Sequence, residues 1–157
     1  MRAYHLNGGG VLAKVVELNL KERKEGPRKS VPEAVFVSAE GVKGDDLHRG
    51  SEHSASLLAR ETQERIAALG IDGLCTRRFY ANIVTEGINL FDLPVGTCVQ
   101  IGGARFAIKQ IGKPCWKDCA IYESSHDCAL HQEAIFADIL TGGTVHVGDE
   151  IIVEAEL

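Results

Sequence analysis

The sequence predicts a mainly β fold: a β-barrel-like, mixed sheet of complex topology carrying two or so short helices. Three observations predict it. Short runs rich in Val, Ile, Phe and Thr recur along the chain and are separated by glycine-bearing turns. Only two segments space their apolar residues as a helix would. The 157 residues, 45% hydrophobic and 25% charged, suit one globular core, and no repeat, low-complexity run or linker divides them. Residues 1–157 are therefore expected to form a single domain. A curled or closed sheet is expected because closure removes exposed strand edges.

Taken in order, residues 11–20 alternate imperfectly between apolar and polar and predict a strand. Residues 21–29 hold five basic and two acidic side chains around Gly26-Pro27 and predict a solvated loop. Residues 33–38 predict a second strand. The segment Gly41-Val-Lys-Gly44-Asp-Asp predicts a loop with two glycines available for positive φ. Residues 56–69 predict the first helix, with Ala55, Leu58, Ala59, Thr62, Ile66 and Leu69 on one stripe, Ser54 or Ser56 as cap and Gly70 as stop. Residues 79–85 predict a strand. Residues 99–101 and 104–111, joined by Gly102-Gly103, predict a hairpin, since a glycine pair accepts the backbone of the tight primed turns. A second helix is predicted over residues 131–140, stopped by Gly142-Gly143. Residues 144–153 predict two short strands around Gly148-Asp149, with His146 on the surface.

The charge excludes some classes of function. Seventeen Lys and Arg against twenty-two Asp and Glu leave −5, which argues against a nucleic-acid partner. No apolar run reaches the ~20 residues of a membrane span, and the first residues lack the apolar stretch of a signal peptide. A cytoplasmic protein with no membrane partner is expected. All basic residues lie in the first 117 positions, while nine acidic ones follow. This split fits either a solvated acidic end or a positive part that faces an anionic ligand.

Five cysteines, an odd number, in a chain expected to be cytoplasmic predict reduced thiols. Cys75 and Cys98 are isolated from other reactive groups and read as small hydrophobes. Cys115 is different. It follows the strand predicted over residues 104–111 across a Gly-Lys-Pro turn, within Gln110-Ile-Gly-Lys-Pro-Cys-Trp-Lys-Asp-Cys119. Lys113 and Lys117 flank it, and a nearby ammonium favours thiolate over thiol. Three readings stand for this segment. Its cysteines are inert packing, or Cys115, Cys119, Cys128 and His126 or His131 hold zinc, or Cys115 is a reactive thiol with Cys119 as a resolving partner. The spacing lacks the C-x2-C knuckle common in zinc sites.

Further residues carry a resemblance. Gly41-Val-Lys-Gly-Asp45, Leu57-Leu58, Arg78-Phe-Tyr-Ala-Asn-Ile83, Thr85-Glu-Gly-Ile-Asn-Leu90, Leu93-Pro-Val-Gly-Thr97, Ile101-Gly102 and Gln110-Ile-Gly-Lys-Pro-Cys115 occur in the order found in MOSC domains. Nearly the whole chain resembles the small stand-alone bacterial members of that family, named for the C-terminal part of molybdenum cofactor sulfurase. The resemblance implies a β-rich, barrel-like fold and a characteristic cysteine matching Cys115. It also implies sulfur carriage or binding of the molybdenum cofactor. Cys115 would accept sulfane sulfur as a persulfide, or bind molybdenum through a thiolate, a soft ligand suited to it. Lys113, Asn82, Asp45, His53 and Arg78 become the expected cofactor-binding residues.

The chain departs from the family pattern at two places: Ala81 stands where an acidic residue often precedes the asparagine, and Ser54 where an Arg often follows the histidine. Arg77, Arg78, Lys109, Lys113 and Lys117 remain as cations. Larger sulfurases mobilise sulfur on a pyridoxal-phosphate domain, for which this chain has no room. The expected partners are a sulfur donor such as a cysteine desulfurase and proteins of the molybdenum-cofactor pathway or molybdoenzymes. The rival expectation is a non-catalytic binding module for the molybdenum cofactor or zinc. Chemically plainer readings exist for Asp45, a turn residue, and for Asn82, a buried amide satisfying loop backbone.

Overall fold

Runs that alternate apolar with polar residues become strands in the computed structural model, which describes residues 2–4, 13–23, 26–45, 55–68, 70, 81–112 and 132–155. The strands are β1 (Arg2–Tyr4), β2 (Lys14–Leu20), β3 (Lys29–Val31), β4 (Glu33–Val37), β5 (Gly41–Val42), β6 (Ala55–Ala59), β7 (Ile83–Glu86), β8 (Cys98–Ile101), β9 (Ala104–Ile111), β10 (Ile135–Thr141), β11 (Gly143–His146) and β12 (Ile151–Ala155). The helix α1 (Arg60–Ala68) follows β6 directly, a 3-10 turn covers Leu90–Asp92, and Gln132 and Glu133 are also helical. The mainly β expectation holds.

The large sheet runs β1-β12-β8-β9-β10-β6-β7-β2-β3, and β4 lies between β11 and β5 in a second, three-stranded sheet. Every pairing is antiparallel except β6 with β7, so the sheet is mixed as expected. It curls until the start of β2 meets the start of β12. A single bridge, Lys14 to Glu150, joins them, with backbone bonds from Val15 to Asp149, Gly148 to Val15 and Ile151 to Ala13. Among the described residues this contact is a bridge and not a ladder, so the barrel is approached without being closed.

The core lies inside the curl. Leu18, Leu57, Ile83, Ile101, Phe106 and Ile108 are almost fully buried. Phe36 of the small sheet meets Phe106 of the large one edge to face, with ring centroids 5.2 Å apart, a geometry that aligns a positive ring edge with a negative face.

Two expectations are corrected. The helix expected over residues 131–140 does not run through that stretch: Gln132 and Glu133 are helical, but from Ile135 the chain is β10, with Ile135, Ala137 and Ile139 buried and Phe136 and Asp138 half-buried. That alternation is the strand period. The helix expected over residues 56–69 starts only at Arg60, because residues 55–59 form β6, buried throughout. Such a continuous apolar run belongs to a strand covered on both faces, and periodicity alone cannot separate it from a buried helix. Gly70, at φ 65°, ends the helix as expected. β2, β4, β7, β8, β9, β11 and β12 fall where the sequence places strands, with ends shifted by a few residues, whereas β1 and β3 are not foreseen there and β5 replaces part of the loop expected at residues 41–46. The 98–101/104–111 hairpin turns through Gly102 at φ 55°.

Candidate functional site

Asp45 and Asn82 come together, and both are buried. Asp45 closes the turn after β5, where Gly44 takes φ 86° and the Asp45 N–H donates to the Val42 carbonyl at 3.0 Å. Its Oδ1 accepts the Lys21 N–H at 2.8 Å, and its Oδ2 accepts Asn82 Nδ2 at 3.1 Å. Asn82 Nδ2 also donates to the Asn19 carbonyl at 3.2 Å. On the other side, Asn82 Oδ1 accepts the Ser56 N–H at 3.0 Å and the Ser56 hydroxyl at 3.2 Å. Both hydrogens and both acceptor positions of the amide are thereby used within the protein. Asn82 can hold a ligand directly only by giving up one of these bonds, so it supports the site as a strut.

The network is part of a row that crosses the large sheet and is polar except at Phe136. Gln110 on β9 is in register with Phe136 on β10, and Phe136 with Ser56 on β6. Ser56 bonds Asn82, Asn82 bonds Asn19 of β2, and Asn19 is in register with Ser30 of β3, whose hydroxyl donates to Asn19 Oδ1 at 2.9 Å. Asn19 completes the exchange by donating Nδ2 to the Ala81 carbonyl at 3.0 Å. This row fixes the chain on either side of residues 46–54, which precede β6, and just after residues 71–80, which precede β7.

The other end of the row is the base of the segment that carries Cys115. Gln110 Nε2 donates to the Gly112 carbonyl at 2.9 Å, and Gly112, at φ 89°, donates its N–H to the Ala134 carbonyl at 2.6 Å. Glu133, buried, ties the returning chain to α1. Its carboxylate accepts the Thr62 hydroxyl at 2.7 Å and Arg65 Nη1 at 2.9 Å, and Arg65 Nη2 also bonds it. Gln110 stands on β9 and Asn82 just before β7, with β10 and β6 between these strands, so they are three strand spacings or about 14 Å apart around the curl. Cys115 is three residues past Gly112, at most about 10 Å of extended chain.

Cys115, Lys113, His53 and Arg78 lie outside the described residues, as do Cys119, His126, Cys128 and His131 of the zinc alternative. Arg77, Lys117 and Cys75 do so too. Among the described residues no group of three or more His, Cys, Asp or Glu is placed to hold a metal ion. No described helix is long and apolar enough to cross a membrane. Cys98 is a free thiol, half-buried where full burial was expected. His146 is exposed, as expected, and sits 3.0 Å from Glu33 across the β11–β4 pair. Arg105 pairs with Glu154 on β12, and that hydrogen bond raises the guanidinium above its ordinary value.

Sequence reasoning missed Ser56, Asn19, Thr62 and Glu133. A buried serine in an apolar run and an asparagine in an alternating strand are weak signals, legible only as polar residues in positions a core would otherwise fill.

Comparison with known proteins agrees with this architecture. The structure resembles the crystal structure of the YUAD protein from Bacillus subtilis, with a TM-score of 0.67, 19% identity, and coverage of 94% of this chain and 98% of that one. It also resembles YiiM from Escherichia coli (TM-score 0.64, 15% identity, 94% and 71% covered) and YiiM from Geobacillus stearothermophilus (0.60, 15%, 91% and 75%). At these identities the likeness concerns the fold. No protein of curated function matches the sequence. Residues 44–152 match the MOSC domain, a stretch that begins at the Gly44-Asp45 turn and takes in Ser56, Asn82 and Gln110 of the row but not Asn19 and Ser30. The chain belongs to the MOSC domain family.

Proposed function

We propose that this protein is a sulfur carrier of the molybdenum-cofactor system, with Cys115 as the thiol that accepts and passes on sulfane sulfur. The MOSC family is associated with the molybdenum cofactor and with sulfur-transfer roles. One observation carries the reading for this chain: the Gly-Lys-Pro-Cys115 motif leaves β9 at a base pinned by Gln110 and by the Gly112–Ala134 bond. A fixed base of this kind suits a motif that passes sulfur between two partners.

The chemistry needs no oxidant. The Cys115 thiolate attacks the terminal sulfur of a donor persulfide, a new S–S bond forms at Cys115, and the donor departs as its own thiolate. Transfer onward reverses the step toward an acceptor nucleophile.

The chemistry of the donor set fits the molybdenum cofactor. A thiolate suits molybdenum, and Lys113, Arg78 and His53 suit anionic oxygens. Asp45 and Asn82 brace the ends of the segments that carry His53 and Arg78. When bound, the cofactor supplies a metal centre able to take up sulfur.

The test is intact-protein and peptide mass spectrometry after incubation with a cysteine desulfurase and cysteine. A gain of about 32 Da, one sulfur atom, is expected on Cys115 and absent from Cys115→Ser. An adduct confined to other cysteines refutes the assignment. Elemental analysis for molybdenum and zinc, with pterin fluorescence, tests the cofactor.

A further inference from the structure

Ser56 belongs to none of the motifs that mark this family in the sequence, yet it is fully buried and makes three hydrogen bonds to one residue. Its N–H and its hydroxyl both donate to Asn82 Oδ1, and its Oγ accepts the Asn82 N–H at 3.0 Å. An amide has one accepting end and one donating end. With Oδ1 held on the Ser56 side, Nδ2 must face the Asp45 carboxylate and the Asn19 carbonyl, where both its hydrogens are used. Turning the amide over would set Oδ1 against two acceptors and the amino group against the Ser56 N–H. Ser56 thus decides which way Asn82 points, and Asn82 supplies Asp45 with a side-chain donor.

We infer that Ser56 is a positioning residue of the site, acting through Asn82 to hold Asp45. Its functional meaning rests on the cofactor reading given above. The bonds join four stretches of chain: the end of β2, the turn after β5, the start of β6 and the start of β7. Removing the Ser56 hydroxyl leaves the Asn82 N–H without its acceptor and Oδ1 with the backbone donor of residue 56. The amide keeps its sense, set by that N–H and by the two acceptors opposite, but it is held less tightly, and so is its bond to Asp45.

The experiment compares wild type, Ser56→Ala and Ser30→Ala, which removes a hydroxyl from the exposed end of the same row. Hydrogen exchange of the Asn82 side-chain amide protons, read by NMR, should accelerate at least tenfold in Ser56→Ala and stay unchanged in Ser30→Ala. Affinity for molybdenum cofactor released from a molybdoenzyme, read by pterin fluorescence well below the melting midpoint, should fall at least tenfold in Ser56→Ala alone. Unchanged exchange overturns the positioning role. Faster exchange with wild-type affinity overturns its bearing on the site. Should wild type bind no cofactor, the cofactor reading falls and exchange alone decides whether Ser56 orients Asn82. If Ser56→Ala does not fold, Ser56→Cys, whose thiol fills the space but is a weak donor and acceptor, is carried through the same two measurements.

Discussion

Asn82 is an asparagine because its position demands an acceptor on one side and two donors on the other. Aspartate has the size and the acceptors but presents an oxygen to the Asp45 carboxylate and the Asn19 carbonyl. Asn82→Asp is therefore expected to lower stability by about 3 kcal/mol or more, since it buries a charge beside a carboxylate and leaves buried acceptors unmet. Urea denaturation checks this as a lower midpoint at unchanged slope. Ser30→Ala, at the exposed end of the row, should cost under about 1 kcal/mol. At this scale the sequence is half legible. Asp45 and Asn82 stand out through their motifs, and the plainer readings, a turn residue and a buried amide, describe what each does in the structure. Their partners Ser56 and Asn19 do not stand out, because a hydrogen bond between residues far apart in the chain leaves no local pattern.

Among elements, α1 is held in an unusual way. Thr62 is its sole buried residue, so the helix is joined to the sheet by polar bonds and little apolar packing. Arg60 pairs with Glu17 at 3.0 Å, Glu61 Oε2 accepts the Gly87 N–H at 2.9 Å, and Thr62 and Arg65 grip Glu133. Glu61 Oε1 is buried with no partner among the described residues. Glu133→Ala should cost about 2 kcal/mol, because Thr62 loses a buried acceptor while the half-exposed Arg65 regains water. Lys29→Ala, which breaks the exposed pair with Glu22, should cost no more than about 0.5 kcal/mol. Chemical denaturation of the two variants separates them. The same docking explains the misplaced helix start. The stripe read over residues 56–69 joins a buried strand to a polar helix, and its apolar members Leu58 and Ala59 belong to β6. The β10 error has a different cause: Ile135, Ala137 and Ile139 satisfy the strand period while Ala134, Ile135 and Ile139 suggest a helical stripe, and pairing with β9 and β6 decides for the strand.

At the scale of the molecule, the two sheets are joined where two glycine pairs, Gly102-Gly103 and Gly142-Gly143, cross. Gly103 donates its N–H to the Thr144 carbonyl at 3.0 Å. A Cβ on Gly143 would overlap the Gly103 carbonyl, and one on Gly142 would lie 2.7 Å from the Phe36 carbonyl. Both neighbours are backbone and cannot swing aside. The sequence shows each pair only as a local break, a hairpin turn and a helix stop, because a close approach between distant segments has no signature in either one. The edge-to-face contact of Phe36 with Phe106 lies within the same union of sheets, so the molecule should unfold in one transition. Chelator should leave that transition where it is, since the carrier reading gives zinc no structural part; a fall in the midpoint with EDTA would favour the zinc-bearing module. Glycine substitutions then separate space from conformation. Gly96 takes φ 97° and a methyl group added there would meet nothing within 4 Å, so Gly96→Ala is penalised by backbone strain alone, about 1 kcal/mol. Gly143→Ala must push two backbones apart and should cost at least about 3 kcal/mol. Calorimetry should show this as a melting midpoint lower by about 6–12 °C for a domain of this size, against about 2–4 °C for Gly96→Ala. Equal shifts for the two would mean that the crossing is looser than the glycine pairs imply.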